Sequence, residues 1–156
     1  MKKRILLLIT LCMVSFAFAQ ETPETKTTPA PAPATIINVE SLPHYVELKK
    51  RINLTGVVMT ADKEPEFPGG MALFRRKFAE NMEVIYAKGK KIDTRVYFIV
   101  EKNGYINNIA AISNNKDHAK AAEAALKKML VRWKPALVAD KPVRFLYSFP
   151  LSLQKY

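Results

Sequence analysis

The chain turns on Glu64-Pro65-Glu66-Phe67-Pro68-Gly69-Gly70, because the residues before and after it obey different periodicities. Pro65 and Pro68 hold the backbone extended, since proline fixes φ near −65° and disfavours helix in the residue before it. Gly69 and Gly70 then permit a corner that a side chain would obstruct. Directly afterwards Met71, Phe74, Phe78 and Met82 fall at i, i+3, i+7 and i+11, one face of a helix. The stretch reads as an extended arm, a tight corner and an amphipathic helix, with Phe67 placed between the prolines to anchor the corner in a core. The glycines lack the spacing of a phosphate-binding loop.

Downstream, Thr94–Glu101 (TRVYFIVE) is β-branched and aromatic, the composition of a strand. Val96, Phe98 and Val100 share one face and Tyr97 and Ile99 the other. Asn103-Gly104 then predicts a two-residue hairpin turn with both φ angles positive, and a return strand from Tyr105 to Ser113. Asn114 to Asp117 supply helix-capping side chains. A helix follows, with Ala119, Ala122, Leu126, Met129 and Leu130 on its apolar face, Trp133 at its end and Pro135 stopping it. Val143–Leu153 closes the chain as a strand. Val143, Phe145, Tyr147, Phe149 and Leu151 point inward, and Arg144, Leu146, Ser148 and Ser152 outward. Pro150 has no N–H to give a ladder, so this strand, or at least its far end, belongs at an edge. The expectation is an α+β layer: a small antiparallel sheet of about three strands with two helices packed on one face.

The beginning of the chain has a different character. Met1-Lys2-Lys3-Arg4 precedes the apolar run Ile5–Phe16, and Ala17-Phe18-Ala19 places small residues at −3 and −1 of a cut before Gln20. These are the three parts of a secretory signal peptide, over residues 1–19. Ile5 to Ala19 supplies 15 residues, short of the roughly 20 that span a bilayer. Residues 20–35 (QETPETKTTPAPAPAT) form a Pro/Thr-rich linker reaching roughly 50 Å as polyproline II. Residues 36–56 read as a partly packed arm divided by Pro43. Gly56–Thr60 is a short strand leading into a domain that covers 57–156.

Cys12, the one cysteine, lies inside the signal segment, so the mature chain is expected to make no disulfide and no thiolate metal site. His44 and His118 sit in different segments without ligand spacing, and neither nucleophile motifs nor a buried carboxylate pair stand out. No enzyme, cofactor or metal is expected. Lys and Arg outnumber Asp and Glu by 25 to 14, but the charge is scattered. That pattern gives solvated faces rather than a nucleic-acid stripe.

Taken in order, Pro65-Glu66-Phe67-Pro68-Gly69-Gly70, Asn103-Gly104, Arg132-Trp133-Lys134-Pro135, Lys141-Pro142-Val143, then Tyr147 and Pro150, resemble the C-terminal domain of TonB in its Bacteroidetes version. The likeness covers about residues 57–153. It implies a periplasmic, non-enzymatic module that binds an extended peptide, such as that of an outer-membrane TonB-dependent transporter, by strand addition. The motif residues Pro65, Phe67, Pro68, Gly69, Gly70, Asn103, Gly104, Trp133 and Pro135 then build the fold. Arg144, Leu146, Tyr147, Ser148 and Pro150 of the last strand are the peptide-binding candidates, with Arg144 favouring an acidic residue. The chain departs from that family at Val84-Ile85-Tyr86 and Asp93-Thr94, and its cleavable signal and short spacer differ from those of an anchored transducer. Three alternatives stay open at this level: an inner-membrane-anchored energy transducer, an envelope protein whose basic surface meets cell-wall or lipid phosphates, and a homodimer formed by self-pairing of the last strand.

Overall fold

A computed structural model describes residues 39–86, 89 and 91–153. The expected signal peptide and linker lie outside them. In chain order the elements are a 3-10 turn Val39–Ser41, α1 Tyr45–Arg51, β1 Val57–Val58, α2 Gly70–Asn81, β2 Ile92–Val100, β3 Ile106–Ser113, α3 Lys116–Lys127, β4 Ala136–Val138 and β5 Lys141–Leu153. The class is α+β, as expected. The layer is larger than expected: the described residues hold five strands and three helices, and the sheet is mixed.

The strand order is β1-β5-β2-β3, with β4 paired to the start of β5. β5 runs antiparallel to β2 from Val100↔Phe145 to Ile92↔Leu153. β1 adds two residues in parallel, Val57↔Arg144 and Val58↔Phe145. Because successive side chains in a strand alternate between faces, β2 feeds two cores. Val96, Phe98 and Val100 enter one with Phe74 and Phe78 of α2 and Ala122, Ala125 and Leu126 of α3. Tyr97 and Ile99 enter a second, closed by Leu48 of α1, Ile52 and Leu146. The arm before residue 57 therefore covers the second sheet face, where two helices on a single face were expected. Tyr97 fastens it by donating its hydroxyl to the Pro43 carbonyl at 2.9 Å.

The Pro-Gly-Gly corner is a type II turn: Gly70 N–H donates to Phe67 O at 2.8 Å, with Gly69 at φ 85°, ψ 8°. Around it the separate sequence motifs converge. Glu66 and Lys134 exchange both backbone hydrogen bonds, and so do Lys63 and Leu137. Trp133, 2 % exposed, meets Phe67 and Phe74 edge-on with centroids 5.2 Å apart. It is a core residue, as expected, but it lies beyond the helix. α3 ends at Lys127, well before Pro135, and Leu130 is exposed rather than part of the apolar face.

The β2–β3 turn also differs from the expected two-residue form. Gly104 (φ 85°) is left-handed and Asn103 is not; Gly104 N–H donates to Glu101 O, and Glu101 N–H to Tyr105 O. This is the three-residue loop, in which the glycine makes the bulge that restores the strand twist.

Candidate functional site

The sheet has two outer edges, and an edge is where backbone N–H and C=O groups remain for another chain. On β3 those of Ala111 are taken. Ala111 N–H donates to Glu123 Oε1 at 2.8 Å, and its carbonyl accepts from Arg51 Nη1 at 2.6 Å. Arg51 and Glu123 also form an ion pair. Farther along, the register slips between Tyr97↔Ala110 and Ile99↔Asn107, so β3 carries one extra residue there. Asn108 is left-handed at φ 51°, and its Oδ1 accepts from Asn53 N–H at 3.1 Å.

These bonds also set the direction of every backbone group across the sheet. Both groups of Ala111 point away from β2, so its partner Val96 must direct its own toward β5. Phe149, opposite Val96, directs its groups back to β2. Ser148, Pro150 and Ser152 consequently direct theirs outward. Past Phe145, no described strand pairs with that side of β5. The ring nitrogen of Pro150 faces this edge, where its missing N–H leaves the β2 ladder intact. Ser148 and Ser152 offer an N–H and a C=O each, and Pro150 a C=O alone.

The five candidate residues divide by what surrounds them. Ser148 and Pro150 are on the open edge, as is Ser152. Leu146 does not face solvent: it is 3 % exposed and packed in the second core, because α1 covers the face that was expected to be bare. Arg144 is not free for an acidic ligand either. Its guanidinium makes a two-pronged pair with Glu101 at 2.9 and 3.0 Å and donates to the carbonyls of Thr55 and Asn53. Tyr147 sits half-buried beneath α2, its ring 5.3 Å from Phe98 and its hydroxyl 3.8 Å from Met71 Sδ. Burial raises its pKa; the Glu64 carboxylate adds to the rise, and Arg75 opposes it.

Two clefts border the lower end of β5. One of about 710 Å³ lies on the α1 side, lined by His44, Glu47, Arg95, Pro150 and Ser152 among others. Arg95 has no carboxylate partner among the described residues. The other, about 300 Å³, is apolar and lined by Phe78, Met82, Ile85, His118 and Leu151. His118 is buried beneath it, and that burial lowers its pKa.

The tautomer of His118 follows from its neighbours. Ser113 Oγ–H donates to Asp93 O, and Thr94 Oγ1–H donates to Ser113 Oγ at 2.6 Å. Thr94 therefore accepts from His118 Nδ1 at 2.7 Å. The imidazole is held as a structural group that ties α3 to β2 and β3. Its sequence position gave no sign of this, because the relay joins residues from three elements.

Among the described residues no cluster of acidic, His or Cys side chains has the makings of a metal site. No protein-family model, no curated protein and no solved structure matches the chain.

Proposed function

We propose that this protein is a peptide-binding module of the bacterial envelope, similar to the C-terminal domain of TonB, that captures an extended segment of a partner protein on the outer edge of β5. The single observation that supports it is the run Ser148, Pro150, Ser152, unpaired among the described residues, at one edge of a sheet whose other edge is closed at Ala111. Ladder hydrogen bonds to those groups supply affinity, and alternate side chains of the added strand supply selectivity. The α1-side cleft with Arg95 borders this edge, so Arg95 takes over the preference for an acidic residue that Arg144 is too committed to provide. The sequence likeness suggests the partner class: the extended, periplasm-facing segment of an outer-membrane transporter. The signal-like residues 1–19 favour export and cleavage before Gln20. An intact mass of the envelope-extracted protein beginning at Gln20 supports this; a full-length mass in the membrane fraction favours the anchored transducer.

Ser148→Pro and Ser152→Pro test the edge cleanly. Each removes one outward N–H, as Pro150 already does, and leaves the ladder to β2 untouched. Binding of synthetic transporter segments, measured by calorimetry, is expected to weaken roughly 10–100-fold in the double variant, the loss of two ladder bonds. Unchanged affinity in a folded double variant overturns the assignment of the β5 edge.

A further inference from the structure

The two edges of the sheet are treated in opposite ways, and the difference lies in side chains rather than in backbone. On β3, α1 lies over one sheet face and α3 over the other, and each sends one charged side chain to the edge between them. The Glu123 carboxylate, only 15 % exposed, occupies the place where an incoming strand would bring its carbonyl to Ala111 N–H. The Arg51 guanidinium occupies the place of that strand's N–H opposite the Ala111 carbonyl. The two then bond to each other, closing a bridge from helix to helix over the edge.

We propose that Arg51 and Glu123 form a side-chain plug that closes β3 to strand addition and so confines capture of extended chains to β5. The β5 half of this statement rests on the function proposed above, whereas the β3 half rests on the hydrogen bonds alone. A strand entering at Ala111 has to displace two charge-assisted bonds and separate an ion pair, each stronger than the neutral ladder bond that replaces it. At the β5 edge the residues with outward groups are Ser148, Pro150 and Ser152, none long enough to fold over its own backbone. Edge strands without such protection associate with other edges.

The occupant excluded by the plug is the β3 edge of a second copy of this chain. An antiparallel pair of identical edges is self-complementary about a two-fold axis, so it needs no other partner. Apolar surface beside β3 would be buried in that pairing. Leu130 is 88 % exposed, and with Ile106, Ile109 and Met129 it lines a shallow hollow of about 220 Å³ beside the strand.

Glu123→Ala and Arg51→Ala test the plug, each made in the Ser148→Pro, Ser152→Pro background so that β5 takes no part. Hydrogen exchange at the Ala111 amide and mass by sedimentation are the two readouts, and neither requires peptide. The parent is expected to protect Ala111 and remain monomeric. Glu123→Ala should exchange Ala111 about tenfold faster or more at low concentration and form a dimer as concentration rises. Glu123→Gln, which keeps an acceptor for Ala111, should fall between the two. Should Glu123→Ala fail to fold, Arg51→Ala decides by the same mass measurement. A folded Glu123→Ala protein that leaves Ala111 protected, or a folded Glu123→Ala or Arg51→Ala protein that stays monomeric at every concentration, overturns the proposal. Because peptide binding to β5 is measured separately, loss of one inference leaves the other standing.

Discussion

Trp133 donates its backbone N–H to the Gly104 carbonyl at 2.8 Å, and a Cβ on Gly104 would lie 2.1 Å from the Trp133 carbonyl oxygen. The hairpin tip and the segment after α3 thus touch backbone to backbone, which seats the Trp133 ring among Phe67, Phe74 and Phe98. Gly104→Ala meets two costs there, a left-handed φ and the close approach, together about 3 kcal/mol. Trp133→Ala should cost about 3–5 kcal/mol as a buried large aromatic. Urea unfolding of both variants checks these values, and a Trp133→Ala protein as stable as the parent would contradict the core assignment.

The turn between β4 and β5 carries a left-handed pair without glycine: Ala139 at φ 48° and Asp140 at φ 57°. Asp62 holds it by accepting from Ala139 N–H at 2.7 Å. An alanine in this region costs about 1–2 kcal/mol relative to right-handed backbone, while glycine is at ease there but costs more chain entropy on folding. Ala139→Gly is therefore expected to stabilise the protein by about 0.5–1 kcal/mol, read as a higher urea midpoint with an unchanged slope.

Arg144 links β5 to Glu101 at the hairpin and to the carbonyls of Asn53 and Thr55 before β1. Arg144→Ala leaves a part-buried carboxylate and two carbonyls without their donor, an expected loss of about 2–3 kcal/mol. Its effect should fall on stability. A folded Arg144→Ala protein should keep the proposed preference for acidic over amide side chains in the peptide, whereas Arg95→Ala should lose it. Paired calorimetric titrations with Glu- and Gln-containing peptides separate the two.

His118 gives the fold a pH dependence of known sign. Burial lowers its pKa in the folded state, so the unfolded chain binds the extra proton first as pH falls. Stability from this group is complete above about 6.5 and declines as pH drops from there toward the lowered folded value. In His118→Gln this part of the decline should vanish, leaving a flatter melting temperature as pH falls below about 6.5. An unchanged pH profile would show that another group controls it.

Several features follow from local chemistry and are legible in the residues alone. Pro68-Gly69-Gly70 makes a turn followed by a helix because proline and glycine restrict and release φ irrespective of surroundings. The alternation of 94–100 and the proline at 150 are likewise strand and edge signals in any context. Whether Leu146 faces water depends on whether something covers the second sheet face. That is decided by α1, seven residues long, docking Leu48 through contacts too distant in sequence to read. The fate of Arg144 depends on Glu101, which comes within reach only when β5 inserts between β1 and β2. The choice of open edge is tertiary for the same reason. β3 and β5 both read as strands, and only the meeting of Arg51 with Glu123 over Ala111, across 72 residues of chain, covers the edge of β3 there.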